Sequence, residues 1–441
     1  MTEVMFEKFY DSKKVKFFMC LLYFLYVFFF FVLPDLSKMF LTFFLLLSLP
    51  MFYFKFNIFK FDPFFCFFLF AILVQIFSWC SSVIYFSEIS NTFPKIDRLS
   101  KLFSFLFLSY WLHGCKRSVY LLLIFYVLAF ILATVISDSF QKDFLRAFNG
   151  FRVDFDFKNA QFTSMLSGFS IIVIGFLILN SLTIYFRMKK IVLLMYSILL
   201  LFSFFVLVAS QSRQVWLAIM IILIISPFLI CFFYKKAPIS NVIILFVFFL
   251  GGAAFLINTD IVKNRISHQT LTKESEIIEA VISGKLDEIP SKKNGIRINS
   301  WIESFYWIIE NPLVGSGPNS IGEVINQSKK FSNQQKKRIK HLHSFHIEIL
   351  VAYGILGSLV IYGMYYWLIR SLVLAHRENP ELKMYTVLGI CFLIFWVIIN
   401  FFESFSSRSY GVYVHNIMFG CLYTFYFTQQ RKKIEEAEAC A

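Results

Sequence analysis

Residues 191–233 decide the fold: IVLLMYSILLLFSFFVLVA (191–209), then SQSRQ (210–214), then VWLAIMIILIISPFLICFF (215–233). A helix needs about 20 apolar residues to cross the roughly 30 Å hydrocarbon layer of a bilayer. Each apolar block has that length and carries no charge, so the pair reads as two membrane spans joined by a short polar turn.

Similar runs recur on both sides, at about 16–33, 39–54, 63–87, 102–113, 118–137 and 163–186 before this pair, and at 240–257, 345–369, 384–402 and 410–427 after it. With the central pair they make twelve candidates, of which 102–113 is the shortest. The composition agrees. With 61 Phe, 58% hydrophobic residues and only 16% charged ones, the 441-residue chain has more apolar surface than a soluble core can hide. The same figures exclude disorder, collagen and coiled coil. The expected fold is all-α, a polytopic integral membrane protein of about twelve transmembrane helices.

The 42 basic and 27 acidic residues give a net charge of +15. In a soluble protein that excess would point to nucleic acid. Here it follows the rule that cytoplasmic loops collect Lys and Arg. With a cytoplasmic N-terminus, the even-numbered connections carry Lys55 and Lys60, Lys116 and Arg117, Arg187 with Lys189 and Lys190, Lys235 and Lys236, Arg370 with Arg377 and Lys383, and finally Arg431, Lys432 and Lys433. The odd ones at 34–38, 210–214 and 403–409 carry one basic residue each, and those at 88–101 and 138–162 offset theirs with acids. Both termini are therefore expected inside. The first run follows Lys13 and Lys14 and has no small-residue cleavage site after it, so it reads as a retained span. The eight Cys lie in apolar runs, at cytoplasmic edges or at the C-terminal end, which gives no disulfide framework and no CxxC metal site.

This partition divides the chain into residues 1–257 with nine spans, a long polar outer segment at 258–344, three spans at 345–427 and a cytoplasmic tail at 428–441. Within the outer segment, Ser300-x-x-Glu303 reads as a capping box opening an amphipathic helix that Asn311-Pro312 ends. Trp301, Tyr306 and Trp307 suit the membrane interface. Ser328 to Lys340 is strongly basic, which fits a solvated loop or a surface that gathers anionic substrates.

Polar groups at the edge of a span are costly to keep there, so they mark candidate sites. Three places fit, all expected on the outer face. Arg213 opens a span just after Ser212, as a snorkelling charge or as an anion ligand. Arg297 precedes the amphipathic helix, and Gly315-x-Gly317-Pro318 follows it, either as a plain turn or with backbone N–H groups for an anion. Third, His341, His343 and His346 lead into an apolar run. Their spacing lacks the HExxH geometry and no carboxylate has a clear claim as a further ligand, so no metal is expected. A histidine there suits a general base.

These residues together resemble the O-antigen ligase/polymerase superfamily. His343-Ser344, nine residues, then Gly354-x-x-Gly357 is similar to its His-initiated helix ending in a Gly-x-x-Gly turn. Ser212-Arg213-x-x-x-Leu217 looks like its Ser-Arg motif, and Arg297 with Asn311-Pro312-Leu313-Val314-Gly315-x-Gly317 like its Arg and Pro-Leu-x-Gly-x-Gly element. The motifs cover about residues 200–370, in the family's order. His346 departs from the pattern, since many relatives carry Tyr or another residue there.

The resemblance implies a GT-C-like, metal-independent glycosyltransferase of the cell inner membrane, with no cofactor and its site facing the periplasm. The implied donor is a glycan on undecaprenyl diphosphate and the implied acceptor lipid A-core. A polymerase or a protein-glycosylating ligase would use the same donor. A lipid-linked glycan transporter fits less well, because the spans hold few charges and no repeat. In this reading His343 is the base that deprotonates the acceptor hydroxyl, and Arg213 and Arg297 hold the diphosphate. Ser344, Gly315, Gly317, Glu403 and Arg408 are further substrate-binding candidates; Glu403 and Arg408 are open between that role, orienting His343, and a structural one.

Overall fold

A computed structural model describes residues 9–10, 12–88, 90–184, 190–234, 277, 279–290 and 294–440. Among the described residues every regular element is helical and there is no strand. The run at 240–257, and the outer segment before Ile277, lie outside the described residues.

Helices α1 (Lys13–Phe29), α2 (Pro34–Phe54) and α3 (Pro63–Tyr85) open the bundle. After a short helix α4 (Phe105–Leu112) come α5 (Lys116–Val135), α6 (Ala160–Ile184), α7 (Lys190–Ser210) and α8 (Arg213–Phe233). Two amphipathic helices follow, α9 (Asn294–Glu310) and α10 (Ser320–Gln327), and then a short polar helix, α11 (Asn333–Arg338). Then come α12 (Phe345–Glu378), α13 (Lys383–Phe402) and α14 (Ser409–Cys440). Eight of the described helices are long and apolar enough to cross a membrane. Large exposed apolar side chains such as Phe17, Phe61, Phe77, Phe228 and Phe232 suit lipid rather than water. The chain is a polytopic helical membrane protein.

The short run at 102–113 is the instructive case. An eight-residue helix rises about 12 Å, too little to cross alone. Helical turns at Asp97–Ser100 and Lys101–Phe103 precede α4, however, and together they reach from one end of the bundle to the other. At one end Arg98 pairs with Glu348 at 2.8 Å. At the other His113 lies 3.0 Å from Lys16 and 3.4 Å from Arg431, which sits about six helical turns along α14. The break between these pieces frees backbone groups that a bilayer cannot satisfy. Side chains of α14 replace the water: Asn416 accepts from Phe105 N–H and donates to the Lys101 carbonyl, while His415 Nε2 lies 3.0 Å from the Leu102 carbonyl.

A second break lies in α12 at Gly354 (φ 61°, ψ −156°), a conformation open essentially to glycine. The loop after α9 fills it. Ser316 and Gly317 N–H donate to the carbonyls of Val351 and Ala352, and Ile355 and Leu356 N–H donate to those of Pro312 and Leu313. Ser78 Oγ adds a 2.6 Å bond to the Ala352 carbonyl. A Cβ on Gly354 would stand 2.4 Å from the Leu313 oxygen, and one on Gly315 2.4 Å from the Ala352 carbonyl carbon. These two glycines are required by close backbone approach.

Two local expectations are corrected. Ser300 does not open the amphipathic helix, which begins at Asn294. Ser300 is buried within it, and its hydroxyl donates back to the Ile296 carbonyl at 2.7 Å. Arg297 therefore sits in the first turn of a helix instead of in a loop ahead of it. The Asn311-Pro312 stop holds, with α9 ending at Glu310.

Candidate active site

The site forms where the start of α12, the end of α13, the first turn of α9 and the start of α8 meet. Its centre is the carboxylate of Glu403, whose side chain is 6% exposed. His341 Nε2 lies 3.0 Å from one carboxylate oxygen and His343 Nδ1 3.4 Å from the other. Arg297 approaches the second oxygen at 3.9 Å. Arg213, at the N-terminus of α8, is close enough for its charge to act on Arg297.

Backbone anchors hold these groups. Between the two histidines, Leu342 is fully buried. Its N–H donates to Glu348 Oε1 at 3.2 Å, and its carbonyl accepts from Trp301 Nε1 of α9 at 2.9 Å. His343 sits in the left-handed region (φ 54°), which turns its ring back over the neighbouring imidazole at a centroid distance of 4.1 Å. Glu348 Oε1 also accepts from Ser404, next to Glu403, at 2.6 Å, while its Oε2 accepts from Arg98 at 2.8 Å and Ser407 at 3.2 Å. One buried carboxylate thus ties the histidine segment to the Glu403 segment. On the α8 side, Arg152 Nε donates to the Ser210 carbonyl and Gln211 Nε2 to the Gly150 carbonyl, clasping the turn that presents Arg213.

The electrostatics follow from burial and these contacts. Burial alone would raise the Glu403 carboxyl. Hydrogen bonds from His341 and His343, and their charge, more than reverse this and hold it well below the ordinary carboxylate range. Burial lowers His343 from 6.5; Glu403 opposes that shift, while His341 and Arg297 add to it. Arg297 is lowered by burial and by Arg213, against Glu403, yet a guanidinium stays charged in proteins. Lys158 is lowered by burial and by Arg408, with Glu403 opposing, so Lys158 lies within the field of both.

With Nδ1 facing a carboxylate, His343 carries its proton there and leaves Nε2 as a lone-pair acceptor, the tautomer being inferred from that partner. The site therefore offers an oriented base, a buried carboxylate and two guanidiniums.

The O-antigen ligase family model matches residues 198–362. In this segment the chain is similar to the O-antigen ligase superfamily. No curated protein matches the chain. The matched segment contains Arg213, Arg297, His341, His343, Glu348 and Gly354, whereas Glu403, Arg408 and Arg98 come from outside it.

Of the residues expected to bind substrate, three have other uses in the fold. Ser344 is fully buried, and its hydroxyl caps α12 by accepting from Ile347 N–H. Gly315 and Gly317 direct their N–H groups to the carbonyls of Asn311 and Ala352, so neither is offered to an anion. His346 is separate from the other histidines. Its Nδ1 meets the Tyr362 hydroxyl at 2.9 Å and its Nε2 the Val397 carbonyl at 3.1 Å, which uses both nitrogens in packing α12. Glu348 was missed from the sequence, although a signal existed: it is the only acid in the apolar run 345–369.

Proposed function

We propose that the chain is an inverting, metal-independent glycosyltransferase that moves an O-antigen glycan from undecaprenyl diphosphate to lipid A-core at the periplasmic face of the inner membrane. The observation that carries this reading is the contact of His343 and Arg297 with one carboxylate, beside Arg213. His343 Nε2 accepts the proton of the acceptor hydroxyl as that oxygen attacks the anomeric carbon. The anomeric carbon–oxygen bond to phosphate breaks, and its electron pair leaves with the lipid diphosphate. Arg297 and Arg213 meet the growing negative charge with forked donors. Direct displacement inverts the anomer. Glu403 fixes the His343 tautomer and stabilises the imidazolium that forms. Arg408 and Lys158, whose charges act on one another near Glu403, suit the anionic acceptor.

In this reading residues 1–257 form the first nine spans, 258–344 an exported segment, 345–427 three closing spans and 428–441 the cytoplasmic end of α14. The grouping of Lys16, Lys116, Arg431 and Glu381 at the end of the bundle away from the histidines supports that orientation, through the Lys116–Glu381 pair and the Lys16 and Arg431 contacts with His113. Lipopolysaccharide gel profiles of a deletion strain test the function. Loss of every capped species is expected; capping by a single repeat would make the enzyme a polymerase. Cysteine labelling of residues 294–344 from the cytoplasmic side would refute the orientation.

A further inference from the structure

We propose that His341, His343 and Glu403 form a site for a divalent cation of the Zn²⁺ class, whose binding blocks transfer. The inhibitory half of this statement rests on His343 being the base. The binding half rests on geometry alone.

The three side chains can each present one ligand atom, all within 4.8 Å of one another. A tetrahedral zinc site with bonds of about 2.0–2.2 Å sets its ligand atoms about 3.3–3.5 Å apart. His341 Nε2 lies 3.0 Å from Glu403 Oε1 and His343 Nδ1 3.4 Å from Oε2, so both nitrogens already face the carboxylate that would complete the set. Two imidazoles and one carboxylate favour zinc, cobalt, nickel or copper over magnesium or calcium, which require oxygen ligands. The supporting shell is in place as well. Glu348 holds both the Leu342 N–H between the histidines and the Ser404 hydroxyl beside Glu403, so the ligands rest on one braced framework.

The consequence for chemistry comes from the nitrogen used. A cation on Nδ1 of His343 takes the lone pair there, so the ring proton must move to Nε2. The nitrogen that would accept the hydroxyl proton then carries one of its own, and no base remains. Arg297 opposes the ion, because its guanidinium lies 3.9 Å from the same carboxylate. Its side chain is 24% exposed, so part of it already meets solvent.

The test uses the full-length protein purified in detergent, with Co²⁺ as a spectroscopic probe and Zn²⁺ as its competitor. One saturable Co²⁺ per chain is expected, with visible d–d absorption that Zn²⁺ abolishes. His341→Ala and Glu403→Gln should each weaken binding at least about tenfold, while Arg297→Gln should tighten it, since a competing cation is gone. Zn²⁺ should inhibit the wild type, with full recovery in chelator, and the ratio of transfer with and without Zn²⁺ should approach one in His341→Ala. Absence of saturable binding, equal affinity in monodisperse His341→Ala, or unchanged or weaker binding in Arg297→Gln would overturn the site. Loss of transfer in chelator, restored by metal, would overturn inhibition in favour of a required ion. The binding readout needs no turnover, so a chain that binds Co²⁺ but transfers no glycan would count against the proposed function and leave the cation site standing.

Discussion

Replacing Glu348 by Gln keeps the side chain's size but removes its charge and one acceptor oxygen. Four donors surround the carboxylate: Arg98 and Ser407 on one oxygen, Leu342 N–H and Ser404 on the other. The serines can rotate to accept. Arg98 and the Leu342 amide cannot, so either orientation of the new amide points its NH₂ at one of them. A hydrogen bond to a charged group contributes about 1.5–3 kcal/mol, and Arg98, 22% exposed, recovers part of that from water. A local loss of about 2 kcal/mol remains, equivalent to roughly 30-fold in an equilibrium constant. Because Leu342 lies between the histidines, we expect transfer per inserted molecule to fall by about 10–100-fold, mainly in kcat. Glu348→Asp should retain more activity than Glu348→Gln. Adding Arg98→Gln to Glu348→Gln should restore part of the loss by removing the unpaired cation. The assay is transfer by purified protein with donor and acceptor both supplied, with abundance and Tm measured alongside. Turnover of Glu348→Gln within about twofold of wild type, at equal abundance, would refute the reasoning.

Other perturbations bear on separate parts of the account. Gly354→Ala forces a Cβ against the Leu313 oxygen in a conformation reserved for glycine; we expect a loss of about 2–6 kcal/mol from strain and overpacking, seen as poor accumulation and a lowered Tm. Arg297→Lys and Arg213→Lys retain charge without the fork that grips two phosphate oxygens, so each should lower kcat/KM at least about tenfold in titrations of lipid-linked donor. The base must be neutral, and His343 is lowered from 6.5. The acid limb of kcat/KM should therefore lie below pH 6.5, with rate lost as pH falls through it. Glu403→Gln removes a contact that raises His343 and should move that limb further toward acid.

Much of the fold was legible because its causes are local. A stretch of nineteen uncharged, almost wholly apolar residues has few alternatives to a span, and Asn311-Pro312 marks the end of α9. What escaped depended on partners distant in sequence. The run at 102–113 is too short by itself, and only the side chains of His415 and Asn416 explain how a broken helix persists there. The start of α9 was misplaced because Ser300 and Glu303 satisfy a capping pattern equally well inside a longer helix. In the site, Arg213, Arg297 and His343 stand in a recognisable order along the chain. Glu403 is 60 residues beyond His343 and gains its role only when the end of α13 folds back over the histidines. For the same reason the three histidines looked alike in sequence, although His346 packs against Tyr362 while His341 and His343 share one carboxylate.

That separation supports the most direct test, a comparison of His343→Ala with His346→Ala in transfer per inserted molecule, each normalised to folded protein. The account predicts that His343→Ala loses about 10²–10⁴-fold in turnover at normal abundance, whereas His346→Ala loses stability, through Tyr362 and Val397, with turnover of the surviving protein largely kept. Near-normal turnover in His343→Ala at normal abundance would leave the site without a base and contradict the mechanism.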